Sequence, residues 1–213
     1  MFRSGLLLIA ASYVLIGATT SRAMLIETTS IDFDDGLAGD AIGSFYANLG
    51  VDFVNARWRA TQIPTISPPL AIDALAPDGP DNTHFGQGSA IAINFNVPVL
   101  SVAIVGHDIG TAGATVEAYD LSGTFLTSQT AFGSAGVGGE TNVSFEFDLP
   151  GVRQLRLFQP NYNGSDGVVF DNLLFTTAVI PEPSALVFWS ALTAITALRS
   201  PLARRRIRRQ CRN

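Results

Sequence analysis

The side chains best equipped for chemistry in this chain are polar groups set beside aromatic ones. The run Asn161-Tyr162-Asn163-Gly164-Ser165-Asp166-Gly167 combines a phenol ring, amides and a carboxylate. Tyr162 could stack on a sugar ring while Asn163 and Asp166 bond its hydroxyls; the same composition also builds ordinary turns. Trp58, between Arg57 and Arg59, is either a second stacking platform or a core residue. Catalysis finds less to work with. Neither histidine, His84 or His107, belongs to a metal-ligand pair at helical spacing, and no Gly-x-Ser-x-Gly elbow or phosphate-cradling loop occurs. His107 and Asp108 could act with Glu117 only if the fold brought them together. Glycoside hydrolysis needs two carboxylates roughly 5–9.5 Å apart across a cleft.

Charge and cysteine content narrow the classes further. Of 13 basic residues, all arginine, only Arg57, Arg59, Arg153 and Arg156 lie in residues 24–178; of 18 acidic ones, all but Glu182 do. That stretch therefore carries 4 − 17 = −13, which the whole-chain value of −5 conceals. An acidic, lysine-free domain is a poor partner for nucleic acid or anionic lipid, and a better one for a divalent cation. The one cysteine, Cys211, stands in the terminal arginine cluster, so no disulfide, thiolate zinc site or thiol nucleophile belongs to the body.

These groups must be positioned by β-structure. Apolar and polar residues alternate with period two at Ile91, Ile93 and Phe95, at Val143, Phe145 and Phe147, and at Leu155 and Leu157. Residues 99–105 are apolar on both faces, as in a central strand. Further strands are expected near 30–33, 51–54, 115–119, 124–130 and 167–176, punctuated by turns at 78–81, 106–113 and 133–139. The three prolines of 62–69 predict a loop or an edge. Residues 24–178 are thus expected to form one all-β domain, an antiparallel β-sandwich of the jelly-roll kind with eight to ten strands.

The two ends of the chain predict export. Residues 1–23 read as a signal peptide: Arg3 supplies the positive start, 5–18 the apolar stretch, and Ser21 and Ala23 the small residues before a cut. An uncleaved anchor is the alternative. At the other end, Pro181-Glu182-Pro183 is followed by an uncharged apolar run, 184–198, and then by arginines from Arg204 to Arg212. Fifteen residues rise about 22 Å as a helix. If Arg199 snorkels, a transmembrane helix over about 184–203 spans a core of about 30 Å. The arginines place its end in the cytoplasm.

This order of motif, apolar helix and arginine cluster over residues 179–213 resembles the PEP-CTERM sorting tail of Gram-negative bacteria. The resemblance implies that exosortase, a membrane-embedded cysteine transpeptidase-like enzyme, reads Pro181, Glu182 and Pro183. It further implies a temporary inner-membrane anchor and delivery to the cell surface or the extracellular polysaccharide. A weaker resemblance rests on Ile31-Asp32-Phe33-Asp34-Asp35-Gly36 and Gly50-Val51-Asp52-Phe53 at the start of the body and on Phe170-Asp171-Asn172-Leu173-Leu174-Phe175 at its end. The pattern is similar to that of extracellular jelly-roll modules of the carbohydrate-binding and MAM type. In many of these a calcium ion sits where such segments meet, which here implies Asp34, Asp35 and Asp171 as ligands, with Asp32 as an alternative. Two expectations follow for the body: a non-enzymatic module binding glycan or calcium, or a secreted polysaccharide hydrolase using the same tail.

Overall fold

A computed structural model describes residues 25–61, 69–76, 86–133, 141–161 and 167–179. The signal peptide, Pro181-Glu182-Pro183, the apolar run at 184–198 and the arginine cluster lie outside the described residues, as do His84, Tyr162, Asn163 and Asp166. Among the described residues, no helix is long and apolar enough to cross a membrane. Residues Ile26–Ala178 form one compact unit; of the other unit, which takes in both termini, only Leu25 and Val179 are described.

The unit is all-β. Among the described residues it has ten strands, β1 (Leu25–Ile31), β2 (Val51–Val54), β3 (Ala56–Ala60), β4 (Leu70–Ala74), β5 (Ile91–His107), β6 (Ala114–Tyr119), β7 (Phe125–Ala131), β8 (Val143–Phe147), β9 (Val152–Phe158) and β10 (Val169–Val179). They belong to one antiparallel sheet that curls over a single core to make a sandwich. The front half runs β2-β5-β9-β6-β7, and the back half runs β8-β5-β10-β4-β3 with β1 also on β10.

Strand β5 is what joins the halves. Its first residues pair with β2 and β9, whereas Val99–His107 pair with β10 and β8. The sequence reading expects two separate strands here; the structure makes them one strand of 17 residues. The register shifts between Asn94 and Val99, where Val97 and Pro98 stand exposed. Pro98 has no N–H for a ladder, so it sits at a break in pairing, and the bend carries the chain from one half to the other. The second crossing is at Asn55, between β2 and β3, whose φ of 55° is left-handed. Its side chain holds the corner, Nδ2 donating to the Ser89 carbonyl at 2.5 Å and Oδ1 accepting from the Ala76 N–H at 2.8 Å.

The alternation expected from sequence points inward as it should. Ile91, Ile93, Phe95, Phe145, Phe147, Leu155 and Leu157 are all buried in one cluster. Strands β3 and β4 were not legible as strands. Ala-Arg-Trp-Arg-Ala alternates, but over only five residues with two charges, and β4 is buried on both faces and so shows no two-residue period. At the free edge, the Gln129 amide on β7 stands in for a missing strand. It donates to the Glu146 carbonyl at 2.5 Å and accepts from the Glu146 N–H at 3.2 Å, which satisfies both backbone groups of an edge residue of β8.

Candidate functional site

Two outward faces carry polar side chains, one on each half of the sheet, and their surroundings differ. On the front half, pairing aligns residues in rows across all five strands. One row is Asp52, Asn94, Gln154, Tyr119 and Phe125; the next is Val54, Ala92, Arg156, Glu117 and Ser128. Each belongs to the outward phase of its strand, and all are half-buried or exposed. The five strands cover about 19 Å at the usual strand separation. Gln154 Nε2 donates to Asn94 Oδ1 at 2.7 Å, and the Tyr119 hydroxyl donates to Glu117 Oε2 at 2.6 Å. The bond to Glu117 holds the Tyr119 phenol above its ordinary pKa, keeping it a donor; burial adds to the shift and Arg156 opposes it. The Tyr119 and Phe125 rings meet at 5.8 Å and 76°, edge to face.

Beside these rows lies a groove of about 220 Å³ between Asn94, Asp120, Leu121, Arg153 and Gln154. Its rim is rigid. Asp120 Oδ1 accepts from the Ser122 N–H at 2.8 Å, the Ser122 hydroxyl at 2.7 Å and the Thr124 N–H at 2.9 Å. The bonds from Ser122, then from Thr124, hold the Asp120 carboxyl below its ordinary pKa.

On the back half, polar groups are buried. Asp73, His107 and Asp171 are 1%, 3% and 0% exposed, beside a small apolar cluster of Ala71 and Val169. Asp73 accepts from Arg57 Nε at 2.7 Å, from Arg57 Nη2 at 3.1 Å and from Arg59 Nη1 at 2.8 Å. The two arginines flanking Trp58 therefore serve a structural carboxylate. The bonds to Asp73 raise the Arg57 pKa. Asp171 sits at a break in the β10–β5 register and accepts from the Asn172 N–H at 2.7 Å, with Asn172 left-handed at φ 53°.

His107 ends β5 opposite Val169. Burial lowers its pKa, and the Asn142 side chain offsets this in part. A group with a depressed folded-state pKa binds its proton more readily when unfolded. Stability should therefore decline as pH falls below about 6.5 and level off below the folded pKa, by at most about 1.4 kcal/mol per pH unit for one proton. The expected result is that urea midpoints of the wild type fall more steeply between pH 7 and 5 than those of His107→Leu. Parallel curves would refute it.

The residues expected from sequence are placed as follows. Trp58 is 4% exposed and offers no ring face to a sugar. The expected platform is instead a core anchor, because the alternation of β3 turns the indole inward and its arginines outward. It meets Phe45 edge to face at 5.0 Å and Tyr46 at 6.4 Å. Burial pushes the Tyr46 hydroxyl up to about 12, with the nearby carboxylates of Asp35, Asp32 and Asp34 adding to the shift.

Among the described residues, no group of three or more His, Cys, Asp or Glu side chains is placed to hold a metal ion, and Asp34 and Asp171 accept backbone N–H groups. Asp34 Oδ1 accepts the Leu70 N–H at 3.0 Å and so ties the loop after β1 to β4, while Asp171 accepts the Asn172 N–H at 2.7 Å. Asp32 accepts the Asp34 N–H at 3.3 Å, as aspartates in turns do. His107 and Glu117 lie on outward faces of opposite halves and form no acid–base pair. The loop with Tyr162, Asn163 and Asp166 lies outside the described residues; its first residue, Asn161, donates its N–H to the Ala112 carbonyl at 3.1 Å. Sequence reasoning missed Asn94, Gln154, Tyr119, Glu117 and Arg156 as a group. Their outward phase was visible, but their alignment depends on register.

No protein-family model and no curated protein matches the chain. Among solved structures, it is similar to a variant of a family 29 carbohydrate-binding module at 13% identity and TM-score 0.39, over 72% of this chain and 92% of that one. A family 35 carbohydrate-binding module from Clostridium thermocellum matches at 13% identity and TM-score 0.35, over 72% and 99%. The carbohydrate-binding and glycoside hydrolase modules of a Clostridium thermocellum endo-1,4-β-D-xylanase match at 9% identity and TM-score 0.34, over 72% and 28%. Likeness at this level carries no functional argument, and the chain's own residues must supply it.

Proposed function

We propose that this is an exported, non-enzymatic β-sandwich protein that exosortase sorts through the tail at 179–213 to the cell surface or extracellular polysaccharide matrix, where it binds polysaccharide. The observation that carries the reading is the order Pro181-Glu182-Pro183, uncharged apolar run, arginine cluster, directly after the last strand of an acidic all-β body. An apolar segment closed by guanidinium groups holds the carboxy terminus in the cytoplasm, which leaves the body on the far side. The disulfide-free body is held by its core and by the Asp73 network, and its front face offers amides, a phenol and carboxylates to hydroxyl groups.

Replacing Glu182 with alanine should leave full-length protein in the inner-membrane fraction, where the wild type is shortened and released. Equal processing of the two would overturn the sorting role of the motif.

A further inference from the structure

We infer that the polysaccharide is an uncharged chain and that it lies across the front half of the sheet, on the rows through Asn94, Gln154 and Tyr119. This deepens the proposed function and rests on it. The front face leaves hydrogen-bonding capacity unused. The Gln154–Asn94 bond takes one donor of the first amide and one acceptor site of the second. Each amide has two N–H donors and a carbonyl with two lone pairs, so the pair still offers both donors and acceptors. A hydroxyl is at once donor and acceptor, and such mixed sites suit it. Tyr119 and Phe125 continue the same row, half-buried and 51% exposed, and supply ring surface for the apolar faces of sugar rings.

Charge selects the class. Each arginine of this face spends one N–H on a backbone carbonyl: Arg156 stands opposite Glu117 and donates from Nη2 to the Gln87 carbonyl at 2.9 Å, and Arg153 donates from Nη1 to the Asn96 carbonyl at 2.5 Å. Against these two cations stand Asp52, Glu117 and Asp120, on a body of charge −13. A uronate or sulfate would meet net negative potential, because the carboxylates outnumber the two cations. On the back half, Arg57 and Arg59 are held by Asp73, so that face offers no better anion site.

Full-length chain in detergent should be run by affinity electrophoresis through gels containing linear uncharged polymers (a β-glucan, a mannan, a xylan, a galactan) or alginate, a polyuronate. Retardation by at least one uncharged polymer and none by alginate is expected. Tyr119→Ala combined with Gln154→Ala should weaken that binding roughly tenfold or more, the scale of about 1.4 kcal/mol, and Phe125→Ser should also weaken it should the double variant not fold. Asp35→Asn, in the loop after β1, should bind as the wild type does. Undiminished binding by folded front-face variants would overturn the location while leaving a polysaccharide-binding protein. Retardation by alginate alone would overturn the uncharged class, and retardation by no polymer would overturn both the inference and the polysaccharide reading beneath it.

Discussion

Asp73→Ala is expected to cost the Ile26–Ala178 unit about 3 kcal/mol, toward the lower end of the roughly 3–5 kcal/mol lost when one partner of a buried ion pair is removed. The carboxylate is 1% exposed and holds two guanidinium groups, one of them through a bidentate fork. Without it, both guanidinium groups lose a carboxylate partner at a half-buried surface. The discount reflects their side-chain exposures, 24% and 36%, which let them turn partly to water. For the same reason Arg59→Met should cost under about 1 kcal/mol and Arg57→Met more. Trp58 is the one tryptophan of this unit, so its fluorescence reports urea unfolding directly. A lower midpoint at unchanged slope is the expected signature. An Asp73→Ala midpoint within error of the wild type would mean that the network adds nothing to stability.

Trp58→Ala should be at least as damaging, at about 3–5 kcal/mol for a large aromatic removed from a core. The indole packs against Phe45 and Tyr46, and Gly36 lies so close beneath it that a Cβ there would overlap the ring. Trp58→Phe should cost much less, roughly 1 kcal/mol or under. It keeps an aromatic in the cluster and removes an indole N–H that is buried without a partner among the described residues. Far-UV circular dichroism under urea distinguishes the two variants once the fluorophore is gone. An exposed sugar platform would behave in the opposite way, with alanine lowering polysaccharide binding while the urea midpoint stayed put.

Both predictions concern residues whose roles the sequence left open, and the reason is the same for each. Arg57, Trp58 and Arg59 look alike in sequence whether the indole faces a sugar or the core. What decides is the pairing of β3 with β4, which sets Arg57 opposite Asp73 and Trp58 opposite Ile72. The aspartates at 32–35 and Asp171 share a composition with metal ligands and with turn residues. Their hydrogen bonds, to Leu70 and Asn172, are contacts that the sequence alone does not show.

By itself the sequence determined the all-β class, the inward phase of the alternating strands, the absence of a disulfide from the body, and the division of charge between body and tail. Each of these is a property of residues near one another in the chain or of simple counting. Tertiary structure decided that residues 91–107 form one strand bent around the core and that the amides of Asn94 and Gln154, 60 positions apart, become neighbours. It also decided that His107 and Glu117 face away from each other. Which side chains share a face across strands depends on which strands pair and where the sheet folds over; the local alternation fixes only which phase of each strand points inward.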